Sequence, residues 1–330
     1  MNKRVRVLQV LSLALVVISL PLSGTLAEDL RVGSAGVGGA FLPLWIAQDK
    51  GLFRKNSMDT EIITFQGEPV LVQALLAGDI QFTVGGFSSG INAKIAGADV
   101  SAIAVFVNTL PYTLVASEKI KSADQLKGKR FAVSRLGSVS DIGLRMALRN
   151  LGIDPKKESV ILGVGDQAAR FGALKAGTVD ATVITPPLTV AARKLGFNLV
   201  TSFQDAGIKW AYNSILIKTE FAKRNRETAM SFLKAFIEGI AFVYKNKADS
   251  MKVLSKWMRL NDQEALEEAL NFLQRILEKK PYASEEGLQA VIDATAEINP
   301  KASKFKPQDF IDMSYLQELD RSGFIESLYH

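Results

Sequence analysis

The hydrophobic positions of this chain switch repeatedly between two spacings. Residues 32–35 form a short apolar run that ends in the glycine-bearing loop 36–39, and residues 41–53 then carry apolar side chains at helical spacing. Residues 59–65 alternate as a strand does, 69–77 read as a helix stopped by Gly78, and 80–84 form the next strand. A helix starting near Ser88 and ending at Gly97 leads to a strand over 101–107. Strands alternating with helices in this way predict a mostly parallel sheet with helices packed on its faces.

The pattern then recurs. Residues 130–134, 160–164, 179–184 and 198–203 read as strands, and 139–151, 167–176 and 188–195 as helices. The segments ALLAGDIQFTV (74–84) and ALKAGTVDATV (173–183) share six identities in eleven at an offset of 99. The same offset, without a gap, pairs Arg31 with Arg130, Val32 with Phe131, Gly38 with Gly137, Ala93 with Ala192, Lys94 with Arg193 and Gly97 with Gly196. A period near 100 residues is far too long for a solenoid repeat, so it predicts a duplicated lobe.

Segments 108–128 and 204–217 are then the crossovers between lobes, with hinge motion expected over 108–112 and 209–213. From Thr219 onward the chain is amphipathic and helical, with Phe232, Ala235, Phe236, Ile240 and Val243 on one face. This tail is expected to pack back on the first lobe. The expected organisation is a leader over 1–27, a discontinuous first lobe over 28–108 plus 212–330, and a second lobe over 109–211. The fold class is α/β: two doubly wound lobes with a ligand cleft between them.

Composition narrows the chemistry. Lys3, Arg4 and Arg6 precede an apolar run over 7–20, a break at Pro21 and the small-residue ending Thr25-Leu26-Ala27, which reads as a secretory signal cleaved after Ala27. The run falls short of the roughly 18 to 20 apolar residues a membrane span needs. With no cysteine there is no disulfide and no lipobox, so the exported chain is expected to diffuse unanchored in a Gram-negative periplasm. The one histidine, His330, leaves no histidine or cysteine metal site and no Ser-His or Cys-His machinery. Losing the leader's three cations lowers the net charge from +6 to +3, with no basic stripe to suggest a nucleic-acid partner. No GxGxxG fingerprint occurs, and no cofactor is expected; a monomer is the expected state.

In open parallel sheets ligands bind beyond the carboxyl ends of the strands, where helix N-termini supply free N–H groups. The loops 35–41, 85–87, 134–140 and 184–186 meet that description. They nominate Gly36, Val37, Phe41, Gly86, Ser88, Ser138, Ser140, Thr185 and Pro186, with Arg135 as the cation for an anionic ligand, Trp210 as an aromatic wall and Asn108 at the first crossover. Competing structural roles are a capping box of Ser138 with Asp141, helix caps at Ser88 and Ser89, and scaffolding by Pro186 and Pro187. Without a histidine in the cleft, affinity is expected to vary little between about pH 6 and 8.

The segments LPLWIAQDKGLF (42–53), ALLAGDIQFTVGG (74–86), LKGKRFAVSRLGSVSD (126–141) and ALKAGTVDATVITPP (173–187) together resemble the substrate-binding proteins of nitrate-, sulfonate- and taurine-type ABC importers, the SsuA/THI5-like or NMT1-like family, over residues 29–240. The resemblance implies a type II periplasmic-binding-protein fold and delivery of a small solute to ABC permease subunits driven by a cytoplasmic ATPase. It points to a small anionic organic solute such as a sulfonate or carboxylate. The family's pyrimidine synthases use a histidine and a cysteine-rich motif that this chain lacks, so no enzyme activity is expected. Alternatives are an exported sensory module that presents the same cleft to a receptor, and a pyrimidine-binding member of the family.

Overall fold

The computed structural model describes residues 29–203 and 209–330; the leader read at 1–27 and part of the second crossover lie outside the described residues. Two five-stranded sheets organise the chain. The first contains β1 (Asp29–Ser34), β2 (Asp59–Thr64), β3 (Phe82–Gly86), β4 (Val100–Thr109) and β10 (Lys209–Lys218), in the order β2-β1-β3-β10-β4. The second contains β5 (Thr113–Ala116), β6 (Lys129–Val133), β7 (Ser159–Gly163), β8 (Ala181–Ile184) and β9 (Asn198–Ser202), in the order β7-β6-β8-β5-β9.

The two orders are the same once the copies are aligned. In each sheet one strand runs against its neighbours: β10 is antiparallel to β3 and β4, and β5 to β8 and β9. These are the strands that follow the crossovers, so each sheet takes its antiparallel member from the chain returning out of the other lobe. The alternation of the sequence marks the parallel strands, but it does not say where a returning strand inserts.

The 99-residue offset is visible in individual hydrogen bonds. The Arg31 N–H donates to Gln81 Oε1 at 2.9 Å, and the Arg130 N–H donates to Asp180 Oδ2 at 2.9 Å. Helices α3 (Glu68–Ala77) and α6 (Gln167–Lys175) begin at equivalent positions. Each is followed by a glycine in left-handed conformation, Gly78 at φ +88° and Gly177 at φ +70°, whose N–H groups reach the carbonyls of Leu75 and Leu174. Glycine adopts that conformation without a Cβ penalty, which is why the repeat keeps it.

Strand alternation divides the second lobe's core. Phe131 and Val133 join the large core shared with the first lobe, while Ala132 between them packs with Phe171, Leu174 and Val179 on the other face. In the first lobe α9 (Arg226–Lys245) packs on α1 (Leu42–Asp49), with Gly239 close against the Pro43 backbone, and buries Phe232, Phe236 and Ile240; Phe232 stacks on Phe82 with ring centroids 4.0 Å apart. The tail also covers the exposed edge of β4: the Val105 N–H donates to the Pro281 carbonyl, and the Asp312 N–H to that of Ala102. An uncovered edge would offer a template for pairing with another chain. Among the described residues no helix is long and apolar enough to cross a membrane.

Candidate functional site

The carboxyl ends of β1, β3, β6, β7 and β8 converge where the lobes meet, and a cavity of about 20 Å³ lies there, room for one water. From the first lobe it is lined by Ala35, Val37, Gly38, Phe41 and Glu68; from the second by Ser134, Asp166, Gln167 and Arg170. Tyr112, at the first crossover, and Tyr212 and Asn213, on β10, complete the wall. The lobes are in contact around it. A Cβ built on Gly86 would sit 2.6 Å from Val139 Cγ2, and one on Gly39 would sit 3.3 Å from the Pro186 carbonyl oxygen.

Two helix N-termini place the charged groups. Glu68 and Gln167 are the first residues of α3 and α6 and occupy equivalent stations of the duplication. Asp166 caps α6, accepting the Ala169 N–H at 2.9 Å. Arg170 follows one turn later, 2% exposed; its side chain is hydrogen-bonded with that of Tyr112, and its Nε has no hydrogen-bond partner among the described residues. A cation in the first turn of a helix opposes the helix dipole, and burial adds a desolvation cost.

Glu68 is also buried, and the Ser134 hydroxyl donates to its Oε2 at 3.1 Å across the lobe boundary. Burial raises the Glu68 pKa above the usual carboxylate value; its own backbone N–H, the Arg170 charge and the Ser134 hydroxyl oppose that rise without cancelling it. Burial pushes the Tyr112 hydroxyl up to about 12, against the opposing pull of Arg170, and raises that of Tyr212 well above its usual value. The two rings meet edge to face with centroids 5.2 Å apart, and both hydroxyls stay protonated at neutral pH. The cavity therefore offers a fixed cation, a buried carboxyl and two neutral phenols.

Of the residues nominated from sequence, Val37 and Phe41 line the cavity, and Gly36 packs directly against Asp166. Gly86 borders Glu68, leaving no room for a Cβ. Thr185 donates its N–H and hydroxyl to Gln167 Oε1 at 2.8 and 3.0 Å, which fixes Gln167 at the cavity wall. Pro186 touches the first lobe at Gly39.

Ser138 and Ser140 form a buried hydroxyl cluster with Ser134, at 2.8 Å between Ser134 and Ser138 and 2.9 Å between Ser138 and Ser140. The expected capping box is absent. Asp141 accepts the Gly137 N–H at 2.8 Å instead, and the Ser138 hydroxyl makes no cap because it is turned to the other serines. Ser88 is buried in the first turn of α4 (Phe87–Ile95) with a hydroxyl that has no partner among the described residues, as is Ser89; the N-cap is Gly86, so neither serine caps the helix.

Of the twelve nominated residues only Val37 and Phe41 are part of the cavity wall, and Asn108, Trp210 and Arg135 are placed elsewhere. Asn108 spends its amide on the Tyr282 carbonyl at 2.8 Å and the Ser284 N–H at 3.0 Å, tying β4 to the tail. Trp210 is wholly buried, with Gly287 of α12 (Glu285–Ala296) packed on its backbone. Arg135 is exposed on the rim beside Gly67 and Gly163.

Sequence reasoning passed over Arg170, Glu68, Tyr112 and Tyr212. The signal for Arg170 was present. It stands 99 residues after the buried Leu71, so the second copy places a charge where the first keeps an apolar core residue.

Comparison with known proteins shows what the chain as a whole resembles. The model of the family described as NMT1/THI5 like matches residues 39–250. The "Putative binding protein YtlA" of Bacillus subtilis (strain 168) is 27% identical over 213 residues, 63% of this chain and 64% of its own length. A Brachyspira hyodysenteriae protein named "Putative ABC transporter periplasmic binding protein" is 26% identical over 206 residues, 62% of this chain and 57% of its own length. The chain thus spans less than two thirds of either relative. The alkanesulfonate-binding protein SsuA from Xanthomonas axonopodis pv. citri, solved bound to MOPS, superposes with a TM-score of 0.70 at 22% identity, covering 83% of this chain and 93% of that one.

Proposed function

The chain belongs to the NMT1/THI5-like family, and from that premise we propose that it is the exported solute receptor of an ABC importer rather than an enzyme. It captures a small organic solute with an anionic end, a sulfonate, carboxylate or related group, between its lobes and hands it to the membrane permease. The observation that carries this reading is Arg170: a cation almost wholly removed from water, hydrogen-bonded to the Tyr112 side chain but with an Nε that has no partner among the described residues, at a cavity walled by both lobes. Burying a charge that way is costly unless something pairs with it, and an anionic solute group supplies that partner.

Capture proceeds by population shift. A solute that touches both lobes favours the closed arrangement by the contacts it makes only there, and the closed form is what the permease reads. The periplasm is the proposed location and a monomer the proposed state.

A thermal-shift screen of the mature chain against sulfonates, carboxylates, nitrate and pyrimidines tests the reading, because a solute that binds only the folded state raises its melting temperature. A shift with an anionic organic solute, and loss of its uptake in a strain lacking this gene, are the expected results. Silence across the whole screen would overturn the reading. A solute that binds but whose uptake is unaffected by the deletion would point to a sensory module.

A further inference from the structure

Arg170 on α6 and Glu68 on α3 line one cavity from opposite lobes, yet no ion pair joins them. The Arg170 guanidinium donates to the Tyr112 oxygen, and a neutral phenol brings it no counter-charge. Glu68 accepts the Ser134 hydroxyl and its own backbone N–H, and feels Arg170 only through space.

Other charged or titratable groups meet Glu68 from each side. Asp166 of α6 lines the same cavity, half-buried and engaged as a helix cap. Tyr112 at the first crossover and Tyr212 on β10 keep their protons. Arg135, exposed on the rim, stands beside Gly67 just before α3. On α5 (Val139–Asn150) the buried Asp141 is paired with Arg145 at 2.9 Å. The corner between β3 and α4 presses on the Glu68 stem, a Cβ on Gly86 falling 2.9 Å from Glu68 Cγ, so the carboxyl cannot swing away from the cavity.

Glu68 is thus balanced between burial, which favours its neutral form, and the Arg170 charge and two hydrogen bonds, which favour the ionised one. An anionic group tips that balance. The cavity is about 20 Å³, so an anion that reaches Arg170 as the lobes close also meets the Glu68 carboxyl. It occupies the guanidinium and adds its own repulsion, and two negative charges are strongly disfavoured in so small a buried space. Resting on the reading of this cavity as the solute site, we propose that capture is proton-linked: Glu68 binds one proton from solvent for each anion taken up, and the neutral acid donates its O–H to the anion that Arg170 holds. A repelling charge becomes a hydrogen-bond donor. Binding then tightens as pH falls, by up to about tenfold per unit, and levels off once Glu68 is already protonated in the solute-free chain.

Methanesulfonate and ethanesulfonate are the probes, because a sulfonate stays ionised throughout and any proton taken up belongs to the protein. Affinities of the mature chain and of Glu68→Gln are measured by calorimetry from about pH 5.5 to 8 in bis-Tris and Tris, which carry no acidic group, and protons taken up on mixing are counted with an electrode in unbuffered salt. The unsubstituted chain should bind about tenfold more tightly or better at the acid end and take up at least about half a proton per anion within that range. Glu68→Gln, whose amide imitates the neutral acid, should vary by less than about threefold, take up no proton and bind more tightly than the unsubstituted chain at the alkaline end. Binding to the unsubstituted chain without pH dependence or proton uptake overturns the proposal and leaves the solute-receptor reading standing. Uptake that persists in Glu68→Gln, or a variant weakened equally at every pH, does the same. Absence of binding by both probes at every pH overturns the proposal along with that reading for sulfonates. Should Glu68→Gln fail to fold, Asp166→Asn decides: its proton uptake should match that of the unsubstituted chain, and its loss would assign the proton to Asp166.

Discussion

The Ser134 hydroxyl reaches Glu68 Oε2 at 3.1 Å, a hydrogen bond that passes from the second lobe to the first. It makes Glu68 a group whose surroundings depend on lobe closure, and it brings a titrating carboxyl into a site that histidine content alone suggested would be insensitive to pH.

The sign of the effect follows from the direction of the shift. Burial holds the Glu68 pKa above its unfolded value, so the folded chain binds that proton more tightly than the unfolded chain does. Glu68 therefore contributes most below the unfolded carboxylate pKa, and its contribution is lost as pH rises through the raised folded value. Melting temperatures of the unsubstituted chain and Glu68→Gln, measured side by side from acid to neutral pH, should diverge in favour of the variant as pH rises. Parallel curves would show that Glu68 titrates normally.

Arg170→Met tests the cation. The substitution keeps an unbranched apolar stem and removes the guanidinium, so an anionic solute should bind about 1.5 to 3 kcal/mol more weakly, roughly ten- to 150-fold. The solute-free chain should melt no lower than the unsubstituted one, because a buried charge whose Nε has no partner among the described residues is removed. Arg135→Ala, on the exposed rim, should change affinity by less than about threefold. Equal losses at the two positions would mean that the solute sits at the mouth instead of at the cavity.

The duplication was legible because it is written in backbone bonds. Gly78 and Gly177 end equivalent helices, and Gln81 and Asp180 accept equivalent N–H groups, so the same residue types recur at a constant offset. The charged site was harder to see. Attention to the loops after β1, β3, β6 and β8 passes over the starts of α3 and α6, which also lie at strand ends and carry Glu68, Gln167 and Arg170. Tyr212 and Asn213 were hidden for another reason. They stand on β10 where its register with β4 shifts, between Lys209 and Asn213 and again between Asn213 and Ser214, so alternation along the strand does not reveal which side chains face the cleft.

Gly86→Ala should wedge the lobes apart. Its backbone angles, φ −70° and ψ 130°, suit any residue, but the added Cβ would lie 2.6 Å from Val139 Cγ2 of the opposite lobe and 2.9 Å from Glu68 Cγ. Solute affinity should fall by about tenfold or more while melting changes by only a few degrees, since opening relieves the clash without unfolding either lobe. Gly78→Ala is the control. It strains a left-handed position at φ +88° with nothing within 4 Å, so it should cost stability and leave affinity intact.

A clasp on the outer surface should tune the same equilibrium. On α7 (Leu188–Lys194) of the second lobe, Lys194 pairs with Asp262 at 2.6 Å and Glu264 at 2.9 Å, and Arg193 with Glu268 at 2.9 Å, the last two acids lying on α11 (Gln263–Ile276) of the tail. Exposed pairs of this kind add little to folding stability. These join elements of different lobes, so what they stabilise is the closed arrangement relative to the open one. Replacing Arg193 and Lys194 together with glutamate sets like charges face to face and should enlarge the solution radius of gyration seen by X-ray scattering at low salt. Solute affinity should weaken several-fold under the same conditions. Both differences should shrink at about 0.5 M salt, where screening falls to a few ångströms. A radius that is unchanged at low salt would show that the cavity contacts alone hold the lobes together.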